Sequence, residues 1–418
     1  MRIGHLRNKV LRRLVRQPRT KQVIKYLLQR AGAALALATP SARIPSKAFT
    51  LRDVHRSWTH GAEERSMSFF GYFGRSVDQD GREAYHVLED SADTSQPISL
   101  VVNGVRIAQS NAWNFQQGTQ LHWLNDHEIV FNDFNSGLHC RVKNVDTGAE
   151  RTLGAPVSAV STDGSIGLGL DYGRINRLRP DYGYDVPIPQ AQPHDDWSGL
   201  YRLEFSSGDL TTLCTYEQIL ADLNLPMSLE HEINHPLFAP GGYDFVALIR
   251  TYDSGIHIWS RLVLFQDQDG TIRKKTLAAD RIISHYSWVD DRRLLVWMFF
   301  GSQAGYWLLD AHTAEATPAF GVLGQSDGHP SVDMRRSKIV SDTYPGVFRM
   351  QSLFMIETFG AWPPVPLGRF RQPLAFAGVN RCDLHPRWNS AGDGVYLDSA
   401  HTGIRRLYEL KIPEGGQV

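Results

Sequence analysis

Four histidines in the second half of the chain share a sequence setting that could do chemistry: His235 ahead of Pro236, His285 in ISHYSW, His329 in DGHPS and His385 in CDLHPRW. Each stands a few residues before a turn-like stretch. A neutral imidazole is both a metal ligand and a base, with an ordinary pKa of ~6.5. Taken singly, a histidine at such a place more often caps a turn. Four in the same place in successive repeats point instead to side chains that converge on one site. A more obvious motif is set aside. The string His231-Glu232-Ile233-Asn234-His235 reads H-E-x-x-H, which on a helix presents two imidazoles to zinc. Pro236 drives His235 out of the α region and a strand is expected over residues 245 to 250, so the supporting helix has no room.

A second group has the chemistry of sugar recognition. Trp113, Asn114, Phe115, Gln116 and Gln117 combine an apolar face with amides that suit hydroxyls; Trp113 fits a core position equally well. The stretch Asp171 to Trp197 is too long and irregular for a hairpin and is expected to cover one face of the fold. Its Tyr172, Arg174, Arg177 and Arg179 would draw an acidic glycan or would simply be solvated.

The elements that must position these groups are short strands. Apolar alternation marks His139–Val145, Tyr201–Phe205, Arg261–Phe265, Tyr306–Asp310, Ser352–Glu357 and Arg406–Ile412. Their starts recur every ~45–62 residues, the period of a radial β repeat. STDG at 161, APGG at 239, WVDDRR at 288 and WNSAGD at 388 read as the inner hairpin turns of successive blades. The fold class expected is all-β: a seven-bladed β-propeller over 51–418, preceded by a basic helical N-terminal arm over 1–50. A helical insertion over Thr215 to Leu225 ends at Pro226.

Composition narrows the function classes. Lys+Arg and Asp+Glu both number 44, so there is no overall field to gather nucleic acid, and no nucleic-acid partner is expected. Cys140, Cys214 and Cys382 have no C-x-x-C spacing and read as buried thiols. The arm has no Asp or Glu from Met1 to Thr50 but many Arg and Lys, with Val10, Leu11, Leu14 and Val15 as an apolar stripe. It reads as a peripheral membrane contact or as a solvated terminus. Ala31 to Ala38 has a faint signal-peptide character that its long basic lead contradicts. The expected location is cytoplasmic, with membrane-peripheral contact through the arm.

From about Asn111 to Ile412 the sequence resembles the oligogalacturonate lyases, seven-bladed propellers that use manganese and β-elimination. The stretches that carry the resemblance are NHPLFAPGG at 234, DGTIRKK at 269, SHYSW at 284, GHPSVD at 328 and LHPRWNSAGDGVYLDSAHTG at 384. The resemblance implies His285 as proton-abstracting base and Arg261 as partner of the substrate carboxylate. It implies a divalent metal, manganese first and calcium or magnesium next, at His329, His385, Asp383 and Asn380. The last two replace a histidine and a glutamine of the family pattern; both supply oxygens that suit hard cations. His235, Trp113, Gln116, Gln117 and Arg174 are then candidates to bind an acidic oligosaccharide or polysaccharide. In such an elimination the carbanion beside the carboxylate forms only if its charge is neutralised as it develops, which a cation and an arginine would do. The rival expectation is a non-catalytic propeller that binds acidic glycans or serves as an interaction scaffold, since this fold does not fix a function.

Overall fold

The computed structural model describes residues 30, 32, 40–45, 49–58, 65–72, 74–189, 191–192, 194–195, 198–268, 271–320, 325–356 and 363–413. Most of the basic arm, Trp197 and the first two residues of the DGTIRKK stretch lie outside them.

Among the described residues the strands form seven antiparallel sheets in chain order, which are the blades of a seven-bladed β-propeller. Blade 1 runs from Met67 to Ser110, blade 2 from His122 to Leu153, blade 3 from Ala159 to Cys214 and blade 4 from Glu230 to Arg281. Blade 5 spans Ile283 to Pro318, blade 6 Ser331 to Arg371 and blade 7 Arg387 to Lys411. The six segments marked by apolar alternation all fall on the third strand of their blade, so the period read from sequence is the blade repeat. The STDG, APGG, WVDDRR and WNSAGD turns join first to second strands, as expected.

Two strands before residue 54 join the ring. Ala42–Arg43 pairs with Arg369 and Phe370 at the edge of blade 6. Thr50–Asp53 pairs with Tyr408–Lys411 and supplies the outer strand of blade 7, so the two ends of the propeller close on each other. Arg52 of that strand holds Glu409 at 2.9 Å and also bonds Glu83 of blade 1, which accepts from Tyr396 at 2.8 Å.

The second strands Ile166–Leu170 and Gly394–Ser399 and the third strand Ile98–Val102 are buried along their whole length. A blade has a neighbour on each face, which is why these strands read as apolar or small-residue runs and not as strict alternation. Each interface carries its own apolar cluster. Val54, Tyr85, Tyr396 and Leu407 join blades 7 and 1, while Val340, Leu353, Leu397 and Leu410 join blades 6 and 7. A fully buried Leu or Val stabilises the fold by ~1.5–3 kcal/mol, so every interface is a separate source of cohesion.

Two short helices, α1 (Tyr172–Leu178) and α2 (Tyr216–Asp222), are insertions. Thr215 and Gln218 cap α2 reciprocally, and the helix lies within the insertion expected over Thr215 to Leu225. The three cysteines are buried and unpaired in disulfides. No helix among the described residues is long and apolar enough to cross a membrane.

Candidate metal centre

The first strands of blades 4 to 7 bring the four histidines to the ring axis. His235 lies in Glu230–Phe238 and His285 in Ile283–Trp288; His329 and His385 each stand two residues before the first strand of blades 6 and 7. The H-E-x-x-H string is thus strand, and the zinc-helix reading falls as expected. All four rings are buried. Ring centroids of His285 and His329 lie 4.2 Å apart, and those of His329 and His385 4.5 Å.

Tyr72, from the segment after the first strand of blade 1, fills the middle. Its ring centroid lies 6.0, 5.7, 5.2 and 5.1 Å from those of His235, His285, His329 and His385. Arg387 fixes this segment by donating to the carbonyls of Gly71 and Gly74 and to the Ser76 hydroxyl, the last two at 2.8 Å. Gly71 has φ of +91°, and a Cβ there would meet the Gln117 carbonyl at 2.7 Å, so the close passage needs glycine. His235 and His385 adopt φ of +51° and +42°, a region costly for a side chain with a Cβ, and both precede proline.

His329, Asp383 and His385 each bring one ligand atom to within 4.8 Å of the others. The buried His329 Nε2, Asp383 Oδ1 and His385 Nδ1 have no hydrogen-bond partner among the described residues. An unpaired buried polar atom costs ~1–3 kcal/mol. Two imidazoles and a carboxylate converging in this state fit a divalent cation such as manganese.

Asp342 braces the arrangement. Its carboxylate accepts from His329 Nδ1 at 2.9 and 3.0 Å, from the His329 main-chain N–H at 2.7 Å and from the Leu384 N–H at 3.1 Å. It therefore holds both segments that carry the candidate ligands and engages Nδ1 of His329, leaving Nε2 as the free ring nitrogen, as a carboxylate does for metal-bound histidines. Asp398 does not brace His385 in this way: its Oδ2 lies 3.7 Å from Nδ1, too far for a hydrogen bond, and both atoms are without a hydrogen-bond partner among the described residues. Gly328 makes room for Asp342, since a Cβ there would lie 1.9 Å from the Asp342 carbonyl oxygen.

Charge follows from these contacts. Burial alone would lower the pKa of His329, but Asp342, with Asp383 and Asp327 nearby, raises it above the ordinary value. Burial lowers His285, opposed in part by Asp327, whose Oδ1 meets its Nδ1 at 3.0 Å. His285 is therefore neutral at pH 7, with Asp327 orienting it. Burial and the neighbouring cations put His235 and His385 well below the usual histidine range.

The remaining expected site residues divide. Gln117 reaches the cluster, its Nε2 3.4 Å from His235 Nδ1, while Gln116 donates to the Arg381 carbonyl at 2.9 Å. Arg261 is not brought there. It lies on the third strand of blade 4, opposite Ile249 and so two strands out from the axial one, and its guanidinium is held by Asp280 and by the Leu223 carbonyl at 2.6 Å. Asn380 stays on an exposed turn, where its carbonyl accepts from Arg405. Arg174 is buried over the Tyr216 ring at 3.9 Å with Asp171 at 3.4 Å, which makes it a joint between the two helices. Trp113 lines a cleft of about 470 Å³ beside the cluster.

The irregular stretch after residue 170 covers this end of the axis. Tyr182 packs on His235 with ring centroids 4.8 Å apart. Asp181 accepts from Arg381 at 2.7 Å, and Arg381 Nε donates to Asp383 Oδ2, also at 2.7 Å. Arg381 thus ties the covering segment to a candidate ligand.

Sequence reasoning missed Tyr72, Asp327 and Asp342. One signal was present for the last: His-Pro followed thirteen residues after the histidine by aspartate occurs at His329 with Asp342 and again at His385 with Asp398.

No protein family's sequence profile matches the chain, and no curated protein matches it in sequence. Solved structures match its fold. An oligogalacturonate lyase from Vibrio parahaemolyticus superposes with a TM-score of 0.58 at 12% identity, over 90% of this chain and 99% of that one. An oligogalacturonate lyase in complex with manganese gives 0.56 at 13% identity, over 84% and 91%. The resemblance drawn from the histidine-bearing stretches thus extends, distantly, to the fold of the whole propeller.

Proposed function

We propose that this protein is a metal-dependent lyase that cleaves a uronic-acid-containing glycan by β-elimination. The observation that carries the reading is the buried convergence of His329, Asp383 and His385, each with a polar atom left without a partner, beside a neutral and oriented His285. The fold shared with the manganese-bound lyase supports it. His329, Asp383 and His385 would hold the cation, which supplies Lewis-acid stabilisation of the charge that develops on the uronate carboxylate.

The chain's own residues divide the remaining work. His285, with Asp327 on Nδ1, keeps the Nε2 lone pair available to take the proton beside the carboxylate, a contribution of ~10²–10⁴-fold for a well-placed base. Arg381 takes the part first given to Arg261. It stands at the rim of the cluster, where a uronate carboxylate would share its guanidinium with Asp181 and Asp383. Tyr72 and Tyr344, with ring centroids 5.7 and 6.0 Å from that of His285, would keep bulk water from the base.

The burial of the triad, with Tyr72 against all four imidazoles, favours one rival: a non-catalytic glycan binder whose metal only ties blades 6 and 7 together. The two readings part on one assay, the ultraviolet absorbance of a 4,5-unsaturated uronate, run on a panel of acidic glycans with manganese, calcium or magnesium. Absorbance that grows with enzyme and is abolished by chelation supports the lyase. Glycan binding with no product supports the binder, and no response to any of the metals refutes both.

A further inference from the structure

The cleft of about 470 Å³ at the covered end of the axis has a size typical of small-molecule sites (~300–1,000 Å³). Trp113, Phe115 and the half-exposed Val379 give it an apolar wall, with the Trp113 and Phe115 rings edge to face at 5.1 Å. The indole N–H is already engaged by the Gln96 carbonyl at 3.1 Å, so what Trp113 offers a ligand is apolar surface. Asn111 and Asn380 add amides that can meet hydroxyls.

Its charge is the informative feature. No Lys, Arg or His lines this cleft, but Asp181 and Asp185 do. Asp181 is neutralised by Arg179 and Arg381. Asp185 is exposed and has no ion-pair partner among the described residues. The cavity of about 610 Å³ at the far end is different, since Arg75 and Arg335 line it. A third cavity, of about 270 Å³ beside Tyr172 and Tyr201, also lacks cations, but its Asp171 is paired with Arg174, whereas Asp185 in the wall of the cleft has no such partner among the described residues.

Apolar surface, amides and an uncompensated carboxylate suit the C–H face and hydroxyls of an uncharged pyranose and repel a uronate. The cleft also adjoins the centre, because Asp181, in its wall, is joined through Arg381 to Asp383. We infer that this cleft is a subsite for a neutral sugar ring, so that the glycan alternates a uronate with an uncharged sugar instead of bearing a carboxylate on every ring. The inference rests on the uronate reading above.

Calorimetric titration of the full chain at low salt, with and without manganese, tests it using two probes: trigalacturonate and the disaccharide rhamnosyl-(1→4)-galacturonate, whose uronate carries the neutral sugar on O4 as the group an elimination would expel. The disaccharide is expected to bind more tightly. Asp185→Lys should strengthen trigalacturonate binding by about tenfold, the effect of reversing one charge roughly 6 Å away in a water-like dielectric, and Asp185→Asn by about threefold. Neither should move the disaccharide by more than about twofold, since Asp185 is exposed and its replacement leaves the fold intact. Trigalacturonate binding at least as tight as the disaccharide, no response to Asp185→Lys, or no binding of either probe overturns the subsite. If the expected ranking holds but neither probe yields unsaturated product, the subsite stands and the lyase reading falls. If trigalacturonate is cleaved and the ranking is reversed, the lyase stands and the subsite falls.

Discussion

Replacing Asp342 by Asn tests whether the histidine pair is a metal site, because Asp342 touches both ligand-bearing segments without being a ligand. Its carboxylate accepts from His329 Nδ1 and from the N–H groups of His329 and Leu384. An asparagine amide in the same place carries N–H groups of its own. Donated to His329 Nδ1, they shift the ring proton to Nε2 and aim it at the other ligands. Loss of a carboxylate that holds the far nitrogen of a metal-bound histidine costs ~10–100-fold in metal affinity. With manganese at 100 times the wild-type Kd, binding stabilises the native protein by ~2.7 kcal/mol. For 418 residues the melting entropy is ~0.9 kcal/mol/K, so Tm should rise by about 3 °C. A 30-fold weaker site gives ~0.9 kcal/mol and about 1 °C at the same manganese concentration. Differential scanning calorimetry of chelated and manganese-loaded protein reads the difference directly. A full 3 °C shift in the variant refutes the bracing role, and no shift in the wild type refutes the metal site itself.

His285→Ala should abolish formation of unsaturated product while keeping the manganese-induced Tm shift, and product at near wild-type rate would remove His285 from the mechanism. Arg261→Ala should leave metal binding and turnover within about twofold, because its partners are Asp280 and the Leu223 carbonyl; a collapse of turnover would restore it to the site. Burial holds His86 down at about 4, and burial with Arg387 and Arg75 holds His122 at about 3. The unfolded chain takes up those protons near pH 6.5, so stability is full above that pH and falls as pH drops toward the folded values, by ~1.4 kcal/mol per pH unit per histidine. His122→Gln should flatten the fall by about one such increment in urea melts between pH 6 and 4, and an unchanged slope would refute the assignment. Deleting residues 1–45 takes away the edge strand Ala42–Arg43 but spares Thr50–Asp53, and should leave cooperative melting. Deleting 1–58 removes Thr50–Asp53 and should abolish it; equal behaviour of the two would show that ring closure does not depend on that strand.

Local chemistry made the blades legible: the third strands and the inner turns depend on apolar alternation and on Asp and Gly within a few residues. The four histidines were legible because equivalent positions of a radial repeat converge on its axis. The partners were not, because they depend on contacts across blades. Tyr72 comes from blade 1 to meet side chains of blades 4 to 7, and nothing in GYFG announces that. Arg261 fits by residue type, and only the sheet order reveals that its strand lies two places from the axial one. Arg381, adjacent to the candidate ligands in sequence, reads as an ordinary charge until Asp181, 200 residues away, is seen to hold it.

The outer strand that residues 50–53 lend to blade 7 has a consequence for synthesis. It leaves the ribosome among the first segments of the propeller, yet its partner, Arg406–Lys411, is among the last. Domains fold as they emerge where they can. Here the apolar edge of blade 1 that faces blade 7 stays uncovered until translation is nearly complete, and the triad, with Asp383 and His385 at the entrance to blade 7, is not assembled before then. A chain that ends before Arg406 would lack the partner of residues 50–53 and so a closed ring, and one that ends before Asp383 would lack two members of the triad as well.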